Sequence, residues 1–449
     1  MSTAACVGQV GNSAEFAGLG GLRNVKFATV VQNTAPPVVF DPRLDGSVVI
    51  HRHLPGPRSA GGWLGSVAVA RPPLRAVPSE TSPGAASWRR NQPPRCGIAF
   101  APIMAGLPIL EFVTRNYKNF NSRSTRDALF AYWDHVSKGG RMYVAMAGAM
   151  SSAQLGITLA PAIRAGLIHG LSVTGANLEE SLFRLVAHHA YKDFPEYRYF
   201  TKHDDTKILQ QRMRRVTDTS IPEDEAFRAV EKILVPMWVE ATKNGERRFW
   251  HEYFYDLVKR LPKKLFEGNP DECWLLAAAE ANLPIVVPGH EDSTFGNIFA
   301  SHVKLGECSA SIVKSGIEYM AQLYDDYRRL SKGKGIGFFQ IGGGIAGDFP
   351  ICVVPSIKYD LQEPVRPWAY FCQISDSTTS YGSYSGATPN EKITWDKLTE
   401  DTPMFVIESD ATIVVPLMLQ ALLEMKQDPK AADAIVKASR AHTKKSLAR

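Results

Sequence analysis

Five times along this chain a short apolar run is followed by a turn of small residues and then by a helical pattern. The runs are Met142–Met146, His169–Val173, Leu283–Val287, Gly335–Ile341 and Pro403–Glu408. Their turns are AGAMSS, TGANLEES, GHEDSTFGN, GGGIAGD and SDA. Strand, turn and helix in alternation predict an α/β fold, Rossmann-like, with a mostly parallel sheet flanked by helices. Such sheets bind ligands beyond the carboxyl ends of their strands, where helix N-termini offer free N–H groups. No second core is evident, so residues 103–425 read as one large domain, followed by a basic, polar tail over 426–449.

The charge is uneven. Residues 1–100 hold ten Arg or Lys against four Asp or Glu, which accounts for the whole net charge of +6 in the 449-residue chain. The body is formally neutral and has no basic stripe, so nucleic-acid binding is not expected of it. Eleven prolines and twelve glycines within residues 1–100 discourage helix and sheet. The stretch 1–102 is therefore expected to be disordered, or else to precede a true start near Met104. It is Arg-rich like a transit peptide, but too Pro-dense for an amphipathic helix. No run of 18 apolar residues exists, and the six cysteines show no C-x-x-C spacing. The expectation is a cytoplasmic protein without membrane spans, zinc site or disulfide framework.

Within the body, Ser124 is the expected N-cap of the helix TRDALFAYWDHVS, and Ala153–Ala165 a further helix. Glu179 and Glu180 are expected in a first helical turn, where acids are favoured regardless of function. Tyr191–Asp218 reads as irregular chain around a helix, and IPEDEAFRAVEKILVPMW as an amphipathic helix. Gly342, Gly344 and Gly347 fit G-x-G-x-x-G after a strand, a weak signal without a clear ribose-binding acid downstream. His290-Glu291-Asp292 lacks a second histidine at ligand spacing, so no metal is expected. Asp410 at a strand end is open to two readings, a helix N-cap or a ligand-binding carboxylate.

The most unusual stretch is Ser375–Leu398, SDSTTSYGSYSGATPNEKITWDKL. It is too polar for a core element and too aromatic for a linker, and reads as an ordered ligand-facing loop ending in a lysine beside a tryptophan. A lysine amine is a nucleophile only when unprotonated, a state favoured by an apolar wall such as Trp395 would supply for Lys397. Taken alone, Lys397 reads first as a solvated surface lysine.

GSYSGATPNEKITWDKL resembles the catalytic-lysine segment of deoxyhypusine synthases, Gly-x-x-Ser-Gly-Ala-x-Pro-x-Glu-x-x-x-Trp-x-Lys. The matching positions are Gly382, Ser385, Gly386, Ala387, Pro389, Glu391, Trp395 and Lys397. Further segments agree in order over roughly 102–425, and the whole resembles the deoxyhypusine synthase-like branch found mainly in bacteria. The resemblance implies the NAD-binding fold of that family, a homotetramer, and Lys397 as the catalytic residue. It implies polyamine contacts from Glu179, Glu180, Asn297, Asp348, Gly382, Tyr384, Glu391 and Trp395. For NAD it implies Gly148, Ser151, Thr174, Gly175, Ala176, Asp292, Gly343, Asp376, Ser377, Tyr381, Ser385, Asp410 and Ala411; Asp292 also suits an amine.

The family's chemistry would have Lys397 hold an aminobutyl group as a covalent imine before passing it to an acceptor amine. Against the family pattern, Asp348 stands where a histidine is usual, and Asn297, Tyr381 and Tyr384 where acids are usual. One carboxylate gained and three lost imply altered amine spacing. Transfer between free polyamines, giving a homospermidine-type product, is therefore expected ahead of transfer to a protein lysine. A non-catalytic NAD- or polyamine-binding protein is the alternative of a different class.

Overall fold

The computed structural model describes residues 107–380 and 382–447. The 1–102 stretch and Tyr381 thus lie outside the described residues. In chain order come α1 (Pro108–Asn116), α2 (Phe120–Ser137), β1 (Arg141–Met146), α3 (Gly156–Arg164), β2 (Gly170–Val173) and α4 (Gly175–Val186). Then follow β3 (Lys192–Asp193), α5 (Lys202–Gln210), β4 (Met213–Val216), β5 (Thr219–Pro222), α6 (Ala229–Asn244), α7 (Trp250–Arg260) and α8 (Trp274–Glu280). The chain continues through β6 (Ile285–Val286), α9 (Thr294–Lys304), α10 (Gly316–Leu330), β7 (Ile336–Ile341), α11 (Ile345–Ile351) and α12 (Val353–Pro355). It closes with β8 (Tyr370–Ser375), α13 (Glu391–Thr394), β9 (Met404–Glu408), α14 (Ala411–Gln427) and α15 (Pro429–Leu447).

Six strands form one sheet in the order β6-β2-β1-β7-β8-β9, and every neighbouring pair is parallel. The near-continuous apolar runs follow from this arrangement, because helices cover both faces. Residues of β2, β7 and β8 are buried throughout, whereas the edge strand β9 is only half covered. The chain steps from β1 outward through β2 to β6, then returns to β7 on the other flank of β1. The switch point therefore lies between β1 and β7, where an α/β sheet opens a crevice for ligands.

Several local expectations are corrected. Ser124 does not cap α2; the helix starts five residues earlier than that cap would set it, after Asn119. Helix α3 starts at Gly156, because residues 147–155 are spent on a long turn. Helix α4 begins at Gly175 on its Thr174 cap, so Glu179 and Glu180 sit beyond its first turn. The 191–218 region carries β3 and β4, which pair with β5 in a small antiparallel sheet of order β3-β5-β4. Ile221 and Pro222 belong to β5, and α6 follows a wider helical turn over 223–228.

The tail after Met425 is also more than polar chain. It finishes α14 and forms α15, whose Ala432 and Val436 are buried. Asp433 of α15 accepts a hydrogen bond from the Trp133 indole at 2.8 Å. Buried Glu424 of α14 accepts the N–H groups of Ile109 and Leu110 at 3.0 Å, and so caps α1 from 314 residues away.

Candidate functional site

The described residues singled out in the sequence lie in the segments that follow β2, β1, β6, β7, β8 and β9, along the carboxyl rim of the sheet. Beyond β1 the chain turns at Gly148, whose φ of +64° is the left-handed conformation that favours glycine. Asn177, fully buried, locks this turn to the start of α4. Its amide donates to the carbonyls of Met146, Ala147 and Gly148 and to Thr174 Oγ1, and its Oδ1 accepts from the N–H of Ser151. The Ser151 hydroxyl donates to the Asn177 carbonyl and accepts from the Trp274 indole, so it holds the turn rather than facing open space. Thr174 accepts from the Asn177 N–H, leaving the N–H groups of Gly175 and Ala176 at the helix end without intrahelical acceptors.

Glu179 and Glu180 are both buried and committed. Glu179 accepts from the N–H groups of Thr294 and Phe295 at 2.9 and 2.8 Å, capping α9 alongside Ser293. Burial pushes its carboxyl up to about 7, against the pull of those N–H groups. Glu180 accepts from the Ser152 N–H and hydroxyl, and burial raises its carboxyl as well. The open acids are Asp292, Asp348, Asp376 and Glu391. Asn297 is exposed, with its amide donating to the carbonyls of Ser293 and Glu291. Asp410 caps α14, accepting from the N–H and hydroxyl of Thr412 at 2.8 Å, while Ala411 is buried behind it.

The β7 and β8 rims interlock. A Cβ on Gly343 would lie 2.6 Å from Ser385 Oγ, and one on Gly347 would lie 3.0 Å from the Tyr384 ring. Gly347 thus leaves room for the Gln340 amide and the Tyr384 ring. The Tyr384 hydroxyl donates to Gln340 at 2.9 Å, and Gln373 donates to the Ser385 carbonyl at 2.7 Å. Ser377 and Ser385 share a hydroxyl bond of 2.8 Å, and Gly382 and Asp376 are exposed on the same loop.

Lys397 is inside, with only 7% of its surface exposed. The inward aim comes from backbone: Asp396 adopts φ +54°, and the Lys397 N–H donates to the Lys392 carbonyl, closing a turn after α13. Asp396 itself is fastened outward to Lys358 and Tyr359. The Lys397 amine is 3.8 Å from Asp348 Oδ1, 5.7 Å from the Trp395 ring centroid and 5.9 Å from that of Tyr384. Trp395 is 65% exposed, so one face of this wall opens outward. A cavity of about 500 Å³ adjoins it, lined by Met320, Ile345, Asp348, Phe349, Cys352 and Tyr384 among others. Larger hollows of about 730 and 680 Å³ lie against α15 and the amino ends of the strands, the wrong edge for a ligand of a parallel sheet.

Two residues of the site escape sequence reading. Cys352, half-buried and 3.8 Å from Asp348, is unremarkable in sequence. Lys392 lies within the quoted loop string, yet only the fold shows that it points inward. Together the rim offers a buried amine between a carboxylate and two aromatic rings, beside helix ends and serine hydroxyls suited to anionic groups.

A protein-family comparison matches residues 113–422 to the family described as deoxyhypusine synthase. Among curated proteins, a deoxyhypusine synthase-like protein of Nostoc punctiforme is 27% identical over 342 residues, covering 74% of this chain and 83% of the relative. A probable deoxyhypusine synthase 2 of Methanosarcina acetivorans is 25% identical over 316 residues, covering 69% and 85%. The matched region contains every residue of the rim described above.

Proposed function

The chain belongs to the deoxyhypusine synthase family and is an alkyl-group transferase of the aminobutyl type, and from that premise we propose that it moves the aminobutyl group of a spermidine-like amine, through Lys397, to a second free polyamine. The product is of homospermidine type, and NAD is the bound cofactor. The observation that carries this reading is the seat of Lys397, buried at 7% exposure with Asp348 at 3.8 Å and an open cavity beside it. A binding protein has no need of such a lysine.

The rim fits a dinucleotide. The ends of α4 and α14 present backbone N–H groups, Gly148 and Gly344 leave backbone open, and Ser377 and Ser385 add hydroxyls. Bound there, NAD would take a hydride from the carbon beside a donor amine and return it after transfer, so no net redox change results. Lys397 supplies the covalent step. Its free amine adds to the resulting C=N carbon, a new C–N bond forms, and the diaminopropane half leaves as an amine carrying the proton. The acceptor amine then displaces Lys397 by the same exchange in reverse.

Asp348 and Glu391 meet the ammonium groups, while Trp395 and Tyr384 flank the methylene chain and add cation–π attraction. Tyr384 and Asn297 are neutral where the family pattern has acids, which supports an amine set different from that of a protein-lysine acceptor.

The test is mass spectrometry of protein incubated with NAD and candidate polyamines, then reduced with borohydride. A butylamine-sized adduct is expected on Lys397, and Lys397→Ala should lose the adduct and at least about a thousandfold in transfer rate. Bound NAD without an adduct from any polyamine would instead leave a binding protein. Transfer of the adduct only to a protein would return the protein-lysine reading.

A further inference from the structure

Two glutamines stand side by side within the six-stranded sheet. Gln340 of β7 and Gln373 of β8 are register partners, and both are buried. A buried amide is costly unless its hydrogen bonds are made, and the interior of a parallel sheet ordinarily takes apolar side chains. Here the bonds are made, and they lead to one loop. Gln373 Nε2 donates to the Ser385 carbonyl at 2.7 Å, and Gln340 Oε1 accepts the Tyr384 hydroxyl at 2.9 Å. Gln340 Nε2 donates to the Gly342 carbonyl at 2.9 Å and to Gln373 Oε1 at 3.3 Å, which couples the two amides. Among the described residues, these two side chains supply the hydrogen bonds that join residues 378–390 to the sheet.

We propose that Gln340 and Gln373 are positioning residues for substrate binding: they draw the Tyr384 hydroxyl into the sheet, so that Tyr384 offers the cavity its ring and not its polar tip. The ring lies beside the Lys397 amine, 5.9 Å from its centroid, and lines the 500 Å³ cavity. With the hydroxyl spent on Gln340, the wall can meet a substrate only through aromatic surface, which suits methylenes and ammonium groups. Lys397 is held by other means. Its N–H donates to the Lys392 carbonyl, and its own carbonyl accepts from the Trp368 N–H at 3.0 Å. Release of the glutamine anchors should therefore free the Tyr384 wall and leave the lysine in place.

The kinetic half of this inference rests on the transferase reading, so a readout free of polyamine chemistry is paired with it. Amide hydrogen exchange of peptides spanning 376–390 is followed in Gln373→Leu and in Tyr384→Phe, the latter a loss of one hydroxyl that spares the sheet. Exchange of the loop should quicken by about tenfold in each, with peptides of β1 and β2 unchanged. In steady state, KM for the polyamine that forms the adduct should rise by about tenfold in Gln373→Leu, with kcat within about twofold. Gln340→Leu should act likewise, because it strands the Tyr384 hydroxyl. Adding Tyr384→Phe to Gln340→Leu should raise KM no further, since the two residues act through one bond. The inference is overturned if loop exchange is unaltered, if KM does not rise, or if the effects of Gln340→Leu and Tyr384→Phe multiply. If wild type forms no adduct while loop exchange still quickens in the variants, the anchoring stands and the transferase reading fails instead.

Discussion

Asp348 and Lys397 face each other across 3.8 Å, but the carboxylate is half exposed, and ion pairs of that kind add little to stability. The value of Asp348 lies in meeting a cationic substrate. Asp348→Asn should therefore raise the KM for the polyamine by about tenfold and leave the melting temperature unchanged, since one charge-assisted contact is lost without loss of packing. Steady-state kinetics with a thermal melt checks both halves. A fall in kcat alone would show that Asp348 acts on the reacting atoms rather than on binding. At this scale the sequence singled out Lys397, Trp395 and Glu391 through one contiguous string, whereas Lys392 in the same string gave no sign. Periodicity says nothing about a helix as short as α13, so only packing against Phe371 and Tyr384 revealed that Lys392 is inside as well as Lys397.

Among the elements, buried glutamates act as remote caps. Glu424 closes α1 and Glu179 closes α9, each reaching N–H groups that their own helices leave unmatched. Glu179 makes that linkage depend on pH. Its carboxyl titrates near 7 in the folded chain and near 4.5 unfolded. Between those values the folded protein holds a proton that the unfolded chain has released, so its contribution falls as pH rises through the window. The loss approaches about 3 kcal/mol by pH 8. Glu179→Gln cannot titrate and leaves one N–H facing an amide NH₂, a deficit of about 1–3 kcal/mol. The melting-temperature gap between wild type and Glu179→Gln should accordingly narrow from pH 5 to pH 8. A gap independent of pH would place the titration elsewhere. From sequence, Glu179 and Glu180 were weighed as first-turn helix acids or polyamine ligands. Neither reading foresaw a cap supplied to a helix 115 residues away, because sequence spacing holds no information about which helix ends meet in space.

For the whole molecule, one parallel sheet gathers segments scattered from 148 to 411 onto a single rim, and no described helix is long and apolar enough to cross a membrane. Ile345 and Trp395 are large apolar side chains left exposed near that rim. Residues 1–102 carry the surplus positive charge, and the family match begins only at 113. A chain lacking 1–102 should keep the oligomeric mass of the full-length chain in light scattering and a transfer rate within about twofold, because the family match lies wholly beyond those residues. Loss of either would give the leader a structural role.

By itself the sequence determined the α/β class, the all-important alternation of strand and glycine-rich turn, and the loop that carries Lys397. Those signals are local: apolar run length, turn chemistry and a contiguous motif survive in one dimension. The tertiary structure alone decided the strand order that puts a switch point between β1 and β7, the small second sheet, the packing of α15, and which acids remain open. Each of those depends on contacts between residues tens to hundreds of positions apart, where burial rather than spacing fixes whether a carboxylate meets a ligand or a helix end.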